Sequence, residues 1–343
     1  MATNGKNTII LSIESSCDDT SAAILCNDKL LANVVAGQKV HEEYGGVVPE
    51  LASRAHQQHI VPVVDAAIKR AGISKSDISA VAFTKGPGLL GSLLVGTSFA
   101  KSFALANDIP LIEVNHMVGH VLAHFIRTED NQRVPEFPFL CLTVSGGHTQ
   151  LVLVKDYLGM EIIGETIDDA AGEAIDKAAK VIGLPYPGGP VVDKLAQQGD
   201  SGKYTFTIPA VEGLNFSFSG LKTSFLYLVR DALKKNEQFI EEEKNHLCAS
   251  YQRTVVDYLL QNFEKALKAN KVKGIALAGG VSANSELRKR FQDLGEKHNL
   301  DTFIPEFQFC TDNAAMIGIV GYYKYLINDF SNQGVSAQAR IVL

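Results

Sequence analysis

The sequence predicts an α/β fold built from two related halves. Apolar runs of strand length alternate with longer stretches of helical periodicity, the pattern of α/β units. A strand–turn–strand pattern near the start returns about 130 residues later, too long a period for a solenoid and a sign of domain duplication. At 343 residues the chain has room for about two domains, each with a core that needs no staples.

The first apolar run is Ile9-Ile10-Leu11-Ser12-Ile13. A polar turn follows, Glu14-Ser15-Ser16-Cys17-Asp18-Asp19, and then a second run, Ala22-Ala23-Ile24-Leu25. This reads as strand, turn, strand. Its counterpart is the run 139–144, the turn Ser145-Gly146-Gly147-His148-Thr149 and the run 151–154. Between the hairpins, residues 49–71 place Ile60, Val64, Ala67, Ile68 and Ala71 on one stripe and predict a helix, with Pro62 as a kink or a break. A strand is expected over 77–83, an apolar helix over 91–106 and a short strand over 111–114. In the second half, helices are expected over 170–182, 191–198, 243–268 and 284–297, with a buried strand over 274–278. This alternation predicts a mostly parallel sheet in each half. The stretch 128–138, with Pro135 and Pro138 among charges, is the expected linker. It separates a first lobe, 1–130, from a second, 131–343, whose C-terminal segment is free to pack back on the first.

Composition excludes several classes. Apolar residues are 46% and charged residues 20%, as in ordinary globular chains and not in disordered or fibrous ones. There is no run of 18 apolar residues for a membrane span, and the polar start, residues 1–7, lacks the apolar core of a signal peptide. Thirty-two basic against 38 acidic residues give −6, which excludes a strongly cationic nucleic-acid binder but not a local basic patch or a partner that supplies one. Five scattered cysteines without CxxC spacing point to reduced thiols in a cytoplasm.

Several constellations could carry chemistry. His116-Met117-Val118-Gly119-His120, with His124 four further on, places imidazoles one helical turn apart, where two can reach one metal. Surface or core histidines at chance spacing are the alternative. Met117 stands where a zincin has its glutamate, so the motif is not HExxH. Asp312 is a candidate third ligand, and two histidines with a carboxylate suit iron or zinc. The glycine-rich turns Ser145-Gly146-Gly147 and Gly279-Gly280-Val281-Ser282-Ala283-Asn284 follow strands, and the second opens a helix. Both could hold a phosphate, although each could be only a turn. Asp168, Asp169, Glu173 and Asp176 crowd a helix start. The first two suit the helix dipole, whereas Asp176 lies too late for it and could bind ribose hydroxyls or pair with Lys177 or Lys180. Tyr186-Pro187-Gly188-Gly189-Pro190 is a rigid turn before Asp193. Asp18 and Asp19 could bind a metal, orient a nucleophile or serve as ordinary turn residues.

Taken together, Asn115-His116-Met117-Val118-Gly119-His120, Val144-Ser145-Gly146-Gly147-His148-Thr149-Gln150, Asp168 through Lys177, Tyr186-Pro187-Gly188-Gly189-Pro190, Phe216-Ser217-Phe218-Ser219-Gly220-Leu221-Lys222-Thr223, Gly279 through Asn284 and Cys310-Thr311-Asp312-Asn313 resemble the bacterial TsaD family. These tRNA threonylcarbamoyltransferases are related to the catalytic subunit of the KEOPS complex. The motifs stand in family order and span nearly the whole chain. The resemblance implies the actin-like, Hsp70-like, sugar-kinase-like (ASKHA) fold, with two related lobes around a nucleotide cleft. It implies transfer of a threonylcarbamoyl group from threonylcarbamoyl-AMP to N6 of the adenosine 3′ to the anticodon, in tRNAs reading codons that begin with A. The product is t6A.

Residue by residue, the resemblance implies His116, His120 and Asp312 as ligands of one divalent metal, iron with zinc as the alternative. Thr143, Val144, Ser145, Gly146 and Gly147 match the adenylate loop, and Asp176, Gly189, Asp193 and Asn284 match further substrate contacts. Asp18 and Asp19 match an acidic pair involved in transfer, whose second member is usually glutamate. Val118 stands where relatives often carry glutamate. Implied partners are tRNA, TsaB as a heterodimer partner and TsaE with ATPase activity, all in the cytoplasm with no membrane. Rival readings are a small-molecule kinase or ATPase of the same fold, a metallopeptidase and a nucleotide-switched scaffold.

Overall fold

A computed structural model describes residues 7–38, 41 and 44–342. Residues 1–6, most of the polar start, lie outside the described residues. The chain divides into two compact units, Met1–Val134 with Glu306–Leu343, and Pro135–Pro305.

In the first unit the strands are β1 (Ile9–Glu14), β2 (Thr20–Cys26), β3 (Lys29–Ala36), β4 (Ala80–Gly86) and β5 (Leu111–Asn115). They form one sheet in the order β3-β2-β1-β4-β5. In the second unit β6 (Phe139–Val144), β7 (Thr149–Val154), β8 (Met160–Glu165), β9 (Gly274–Ala278) and β10 (Asp301–Phe303) run β10-β9-β6-β7-β8. Read in its own chain order, each sheet is 3-2-1-4-5, so the two similar hairpins do mark two halves of one topology. The expectation of mostly parallel sheets is corrected. Each sheet is mixed, with a three-stranded antiparallel meander on one side and two parallel strands on the other. Strands β3, β8 and β10 went unread because they are half-exposed or short, and a polar face dilutes the apolar signal.

The helices of the first unit are α1 (Pro49–Ala71), α2 (Leu90–Asn107) and α3 (His116–Leu122), and those of the second are α4 (Ala171–Val181), α5 (Gly188–Ala196), α6 (Ser219–Leu233), α7 (Phe239–Ala269) and α8 (Ser285–His298). The chain then returns to the first unit with α9 (Phe307–Cys310) and α10 (Ala314–Leu326). Helix α1 continues through Pro62 and buries Ile60, Val64, Ala67 and Ile68, most of the stripe read from its periodicity. It stops at Gly72, whose left-handed φ of 67° suits glycine.

Helix α10 belongs to the first unit because its small residues let it lie close on the sheet. A Cβ at Gly318 would sit 2.4 Å from Leu25 Cδ1, and one at Gly321 would sit 2.5 Å from Ala82 Cβ. Ser12 Oγ donates to the Ala314 carbonyl at 2.7 Å. Each large aliphatic or aromatic side chain buried in these cores, such as Ile13, Phe83, Leu142 or Phe263, contributes about 1.5–3 kcal/mol. All five cysteines are free thiols. Among the described residues no helix is long and apolar enough to cross a membrane.

Candidate active site

Strand β5 delivers the histidine pair. At its end the Asn115 side chain accepts from the Met117 amide at 2.8 Å and starts helix α3. His116 and His120 then lie on one face, their rings edge to face with centroids 4.8 Å apart. Gly119, between them, brings α3 onto α10. A Cβ there would stand 3.2 Å from Met316 Cγ and Ile317 Cδ1. Asn313 caps α10 by accepting from the Met316 amide at 3.1 Å, and so places its neighbour Asp312 opposite the histidines.

Nε2 of His116 and Nε2 of His120 each stand 3.3 Å from Asp312 Oδ1. His120 is 1% exposed, and neither of its ring nitrogens makes a hydrogen bond. An orphaned buried imidazole beside a carboxylate is what a metal would satisfy. The separations fit, since ligands at about 2.0–2.1 Å from a tetrahedral metal lie about 3.3 Å from one another. Among the described residues these three form a group that could hold a metal ion, with donor atoms all within 4.8 Å of one another. Two imidazoles and a carboxylate suit a divalent transition metal. His124, in a short turn after α3, is not part of the group.

Behind the cluster stands Glu14, the last residue of β1 and fully buried. One of its oxygens accepts from His116 Nδ1 at 3.0 Å and from the Thr84 hydroxyl, and the other accepts from the Ser16 amide. Charges here balance against burial. Burial opposes the charge on His116, yet Asp312 and Glu14 outweigh it and hold its pKa well above the ordinary value. Burial and the neighbouring His116 keep His120 below the ordinary value. Burial works against Asp312 as well, but the two histidines hold it well below the carboxylate range.

Asp18 and Asp19 lie in the turn from β1 to β2. Burial, then Asp18, Asp312 and Glu14, push Asp19 up to about 7. Burial and the same acids raise the Cys17 thiol. Ser16 Oγ, at the start of this turn, lies 3.2 Å from His116 Nδ1 and places the turn's start beside the histidine cluster.

In the second unit the glycine turns meet at one end of the sheet. Strands β6 and β9 are parallel, with Thr143 opposite Ala278, so the turns that follow them lie side by side. Gly279, at φ 86°, passes so close to the Val144 carbonyl that a Cβ would sit 2.4 Å from its oxygen. Thr143 and Val144 are buried. Ser145 shapes the next turn: its Oγ accepts from the Gly147 and His148 amides at 3.3 and 3.0 Å. Gly146 and Gly147 have open space where a side chain would begin. The Gly172 amide, at the start of α4, donates to the Ser145 carbonyl at 3.3 Å.

The acids tie the helix starts together. Asp176 Oδ1 accepts from the Gly188 and Gly189 amides at 2.8 and 3.1 Å, linking α4 to α5. Burial raises the Asp176 pKa despite these two donors. Gly189 itself faces open space. Asp193, on α5, accepts from Ser285 N, Ser285 Oγ and Asn284 Nδ2. Asn284 also donates to Gln252 Oε1 at 2.8 Å and caps α8 by accepting from the Leu287 amide. Thus Asp193 and Asn284 hold one another. Asp168 organises a further turn, accepting from Ser217 Oγ, the Phe218 amide and Ser219 Oγ.

Sequence reasoning missed Glu14 and Gln252. Glu14 reads as a hairpin-turn residue; the available signal was a charge directly after five strand residues. Gln252 sits inside a long helix with no local mark, and only its 2% exposure singles it out.

The fold places the chain in a known class. The full-length HypF structure aligns with 93% of this chain and 46% of its own, at TM-score 0.62 and 13% identity. Component A of (R)-2-hydroxyglutaryl-CoA dehydratase from Acidaminococcus fermentans aligns over 93% and 99%, at TM-score 0.50 and 17% identity. The protein is thus of the ASKHA class, an actin-like, sugar-kinase-like α/β fold.

Sequence carries the assignment further. The profile of the TsaD family, tRNA N6-adenosine threonylcarbamoyltransferase, matches residues 29–319. The proteins of that name from Phocaeicola vulgatus, Porphyromonas gingivalis and Christiangramia forsetii are 60%, 61% and 59% identical to it. The alignments cover 98%, 95% and 96% of this chain and 100%, 96% and 97% of theirs. The chain belongs to the TsaD family.

Proposed function

We infer that this chain forms t6A. It transfers the threonylcarbamoyl group of threonylcarbamoyl-AMP to N6 of the adenosine 3′ to the anticodon, in tRNAs reading codons that begin with A. The observation that carries this is about 60% identity to named transferases along essentially their whole length. It also sets aside the kinase or ATPase reading.

The donor is a mixed anhydride. The N6 amine attacks its carbamoyl carbon, the new C–N bond replaces the bond to phosphate oxygen, AMP leaves, and N6 loses a proton. In this reading Ser145, Gly146 and Gly147 hold the adenylate phosphate, where the open space at the two glycines lets an anion approach the backbone closely. Thr143 and Val144 anchor that turn in β6, while Asp176, Gly189, Asp193 and Asn284 fix the surrounding helix starts and contact the nucleoside. His116, His120 and Asp312 would hold one divalent metal, iron with zinc as the alternative. Bound there, it supplies Lewis acidity toward a carbonyl oxygen. Asp19, poised at about 7, is the group suited to take the N6 proton on a carboxylate oxygen, with Asp18 beside it in sequence. Adenosine N6 is a weak nucleophile, so positioning supplies much of the rate. With a net charge of −6 the chain is poorly suited to gather tRNA alone, which favours a partner that supplies positive charge; the family resemblance implies TsaB and TsaE in that place, in the cytoplasm.

The test is transfer of labelled threonine from pre-made threonylcarbamoyl-AMP to an unmodified tRNA transcript, with and without TsaB and TsaE. Label is expected on the adenosine, and His116→Ala/His120→Ala should lose both bound metal and about 10³-fold or more of the transfer rate. No label from folded, metal-loaded protein in any mixture would refute the reading.

A further inference from the structure

The geometry points to Glu14 as a positioning residue that sets His116 for metal binding, an inference that rests on the metal reading above. His116 faces Asp312 through Nε2, and its other nitrogen, Nδ1, faces Glu14 Oε2 at 3.0 Å. Ser16 Oγ lies 3.2 Å from the same Nδ1. A carboxylate can only accept, so it keeps the proton on Nδ1 and leaves Nε2, which faces Asp312, as the nitrogen a metal would take. Buried imidazole ligands depend on such a partner for tautomer and ring orientation.

Glu14 is itself held rigidly. Thr84, on the neighbouring parallel strand β4, donates to Oε2, and the Ser16 amide donates to Oε1. The side chain is completely buried, and a carboxylate in that setting without an ionic role is costly. His120 has no comparable support, since its Nδ1 is unpartnered. The support is therefore specific to one ligand of the pair.

The experiment measures iron(II) and zinc affinity of the full-length chain by competition with a chromogenic chelator, alongside thermal unfolding of the metal-free forms. Glu14→Gln keeps the shape and the bond from Ser16, but it offers an amide where the imidazole needs an acceptor. It should weaken metal binding about 10–100-fold in protein that is still folded. A purely structural Glu14 would lower the metal-free melting temperature and leave the affinity of the folded protein unchanged. Should Glu14→Gln fail to fold, Thr84→Val removes only one of the bonds that hold the carboxylate, and a drop of about threefold or more is expected. Binding within about twofold of wild type in the folded variant, while His120→Ala abolishes it, overturns the role of Glu14 alone. Unchanged binding in His120→Ala overturns the metal reading and this inference with it.

Discussion

In the first unit, β1 runs into Glu14 and an acidic turn, and the site that forms there is made of side chains. Two imidazoles and a carboxylate gather from stretches about 190 residues apart, backed by a second carboxylate. In the second unit, the matching strand β6 runs into Ser145-Gly146-Gly147, and what forms there is made of backbone. Open glycines, a serine-braced turn and helix starts tied by Asp176 and Asp193 stand where ionisable groups stand in the first. One strand order underlies both. The scaffold thus places the turn after the first strand alike in both units, and the residues placed there set its chemistry.

If that division is right, the two sites can be damaged separately. Of the single substitutions that separate them, the largest effect should come from Gly172→Ala. Its Cβ would meet the Ser145 carbonyl oxygen at 2.6 Å and Gly146 Cα at 3.0 Å, so the turn must shift. Transfer is expected to fall about 10²-fold, as a misplacement of about 1 Å can cause, while metal content stays at the wild-type level. Metal analysis and the transfer assay on one preparation check this, and loss of metal in Gly172→Ala would break the comparison.

A smaller effect is expected from Gly318→Ala, which pushes Leu25 and Ser12 from beneath α10. Overpacking of this kind should destabilise by about 1–3 kcal/mol in denaturant unfolding. Because α10 follows directly on Asp312, metal affinity should fall as well, an effect Gly172→Ala should lack. Unaltered stability would mean that α10 sits less tightly than its glycines indicate.

The smallest effect concerns an ion-pair cluster between two helices of the second unit. Glu264 on α7 accepts from Lys297 and His298 of α8, and Lys297 and its cationic neighbours hold its pKa down at about 2. A lowered carboxylate pKa stabilises the fold above the ordinary value of 4.5, and that contribution is lost as pH falls toward 2. Glu264→Gln should cost under about 1 kcal/mol near neutral pH, since the group is partly solvated and screened. Unfolding curves for the two proteins should converge as pH is lowered through that range. A gap that persists unchanged in acid would mean the bond is not ionic.

Much of this site could be read before the fold was known. The i, i+4 histidines needed only helical periodicity, and both glycine turns stood out after apolar strands. Asn284 was legible as a cap, and it is one, but its bond to Asp193 joins two helices remote in sequence. The mostly parallel sheets were misread because β3 and β8 show a polar face that no apolar run reveals. Asp312 could be offered as a ligand from its type alone. Its place opposite His116 depends on Asn313, Gly119 and the glycines of α10.

By itself the sequence determined the α/β class, the duplicated hairpin, the histidine pair and membership of the TsaD family. Those rest on periodicity, capping and contiguous motifs, which act over a few residues and are written where they act. Only the tertiary structure decided that Asp312 stands opposite the pair, that Glu14 stands behind it and that Asp193 and Asn284 hold one another. Those depend on the close approach of α10 to β1 and β2 and on the parallel register of β6 with β9, where the partners are set by packing between distant segments and by no local preference.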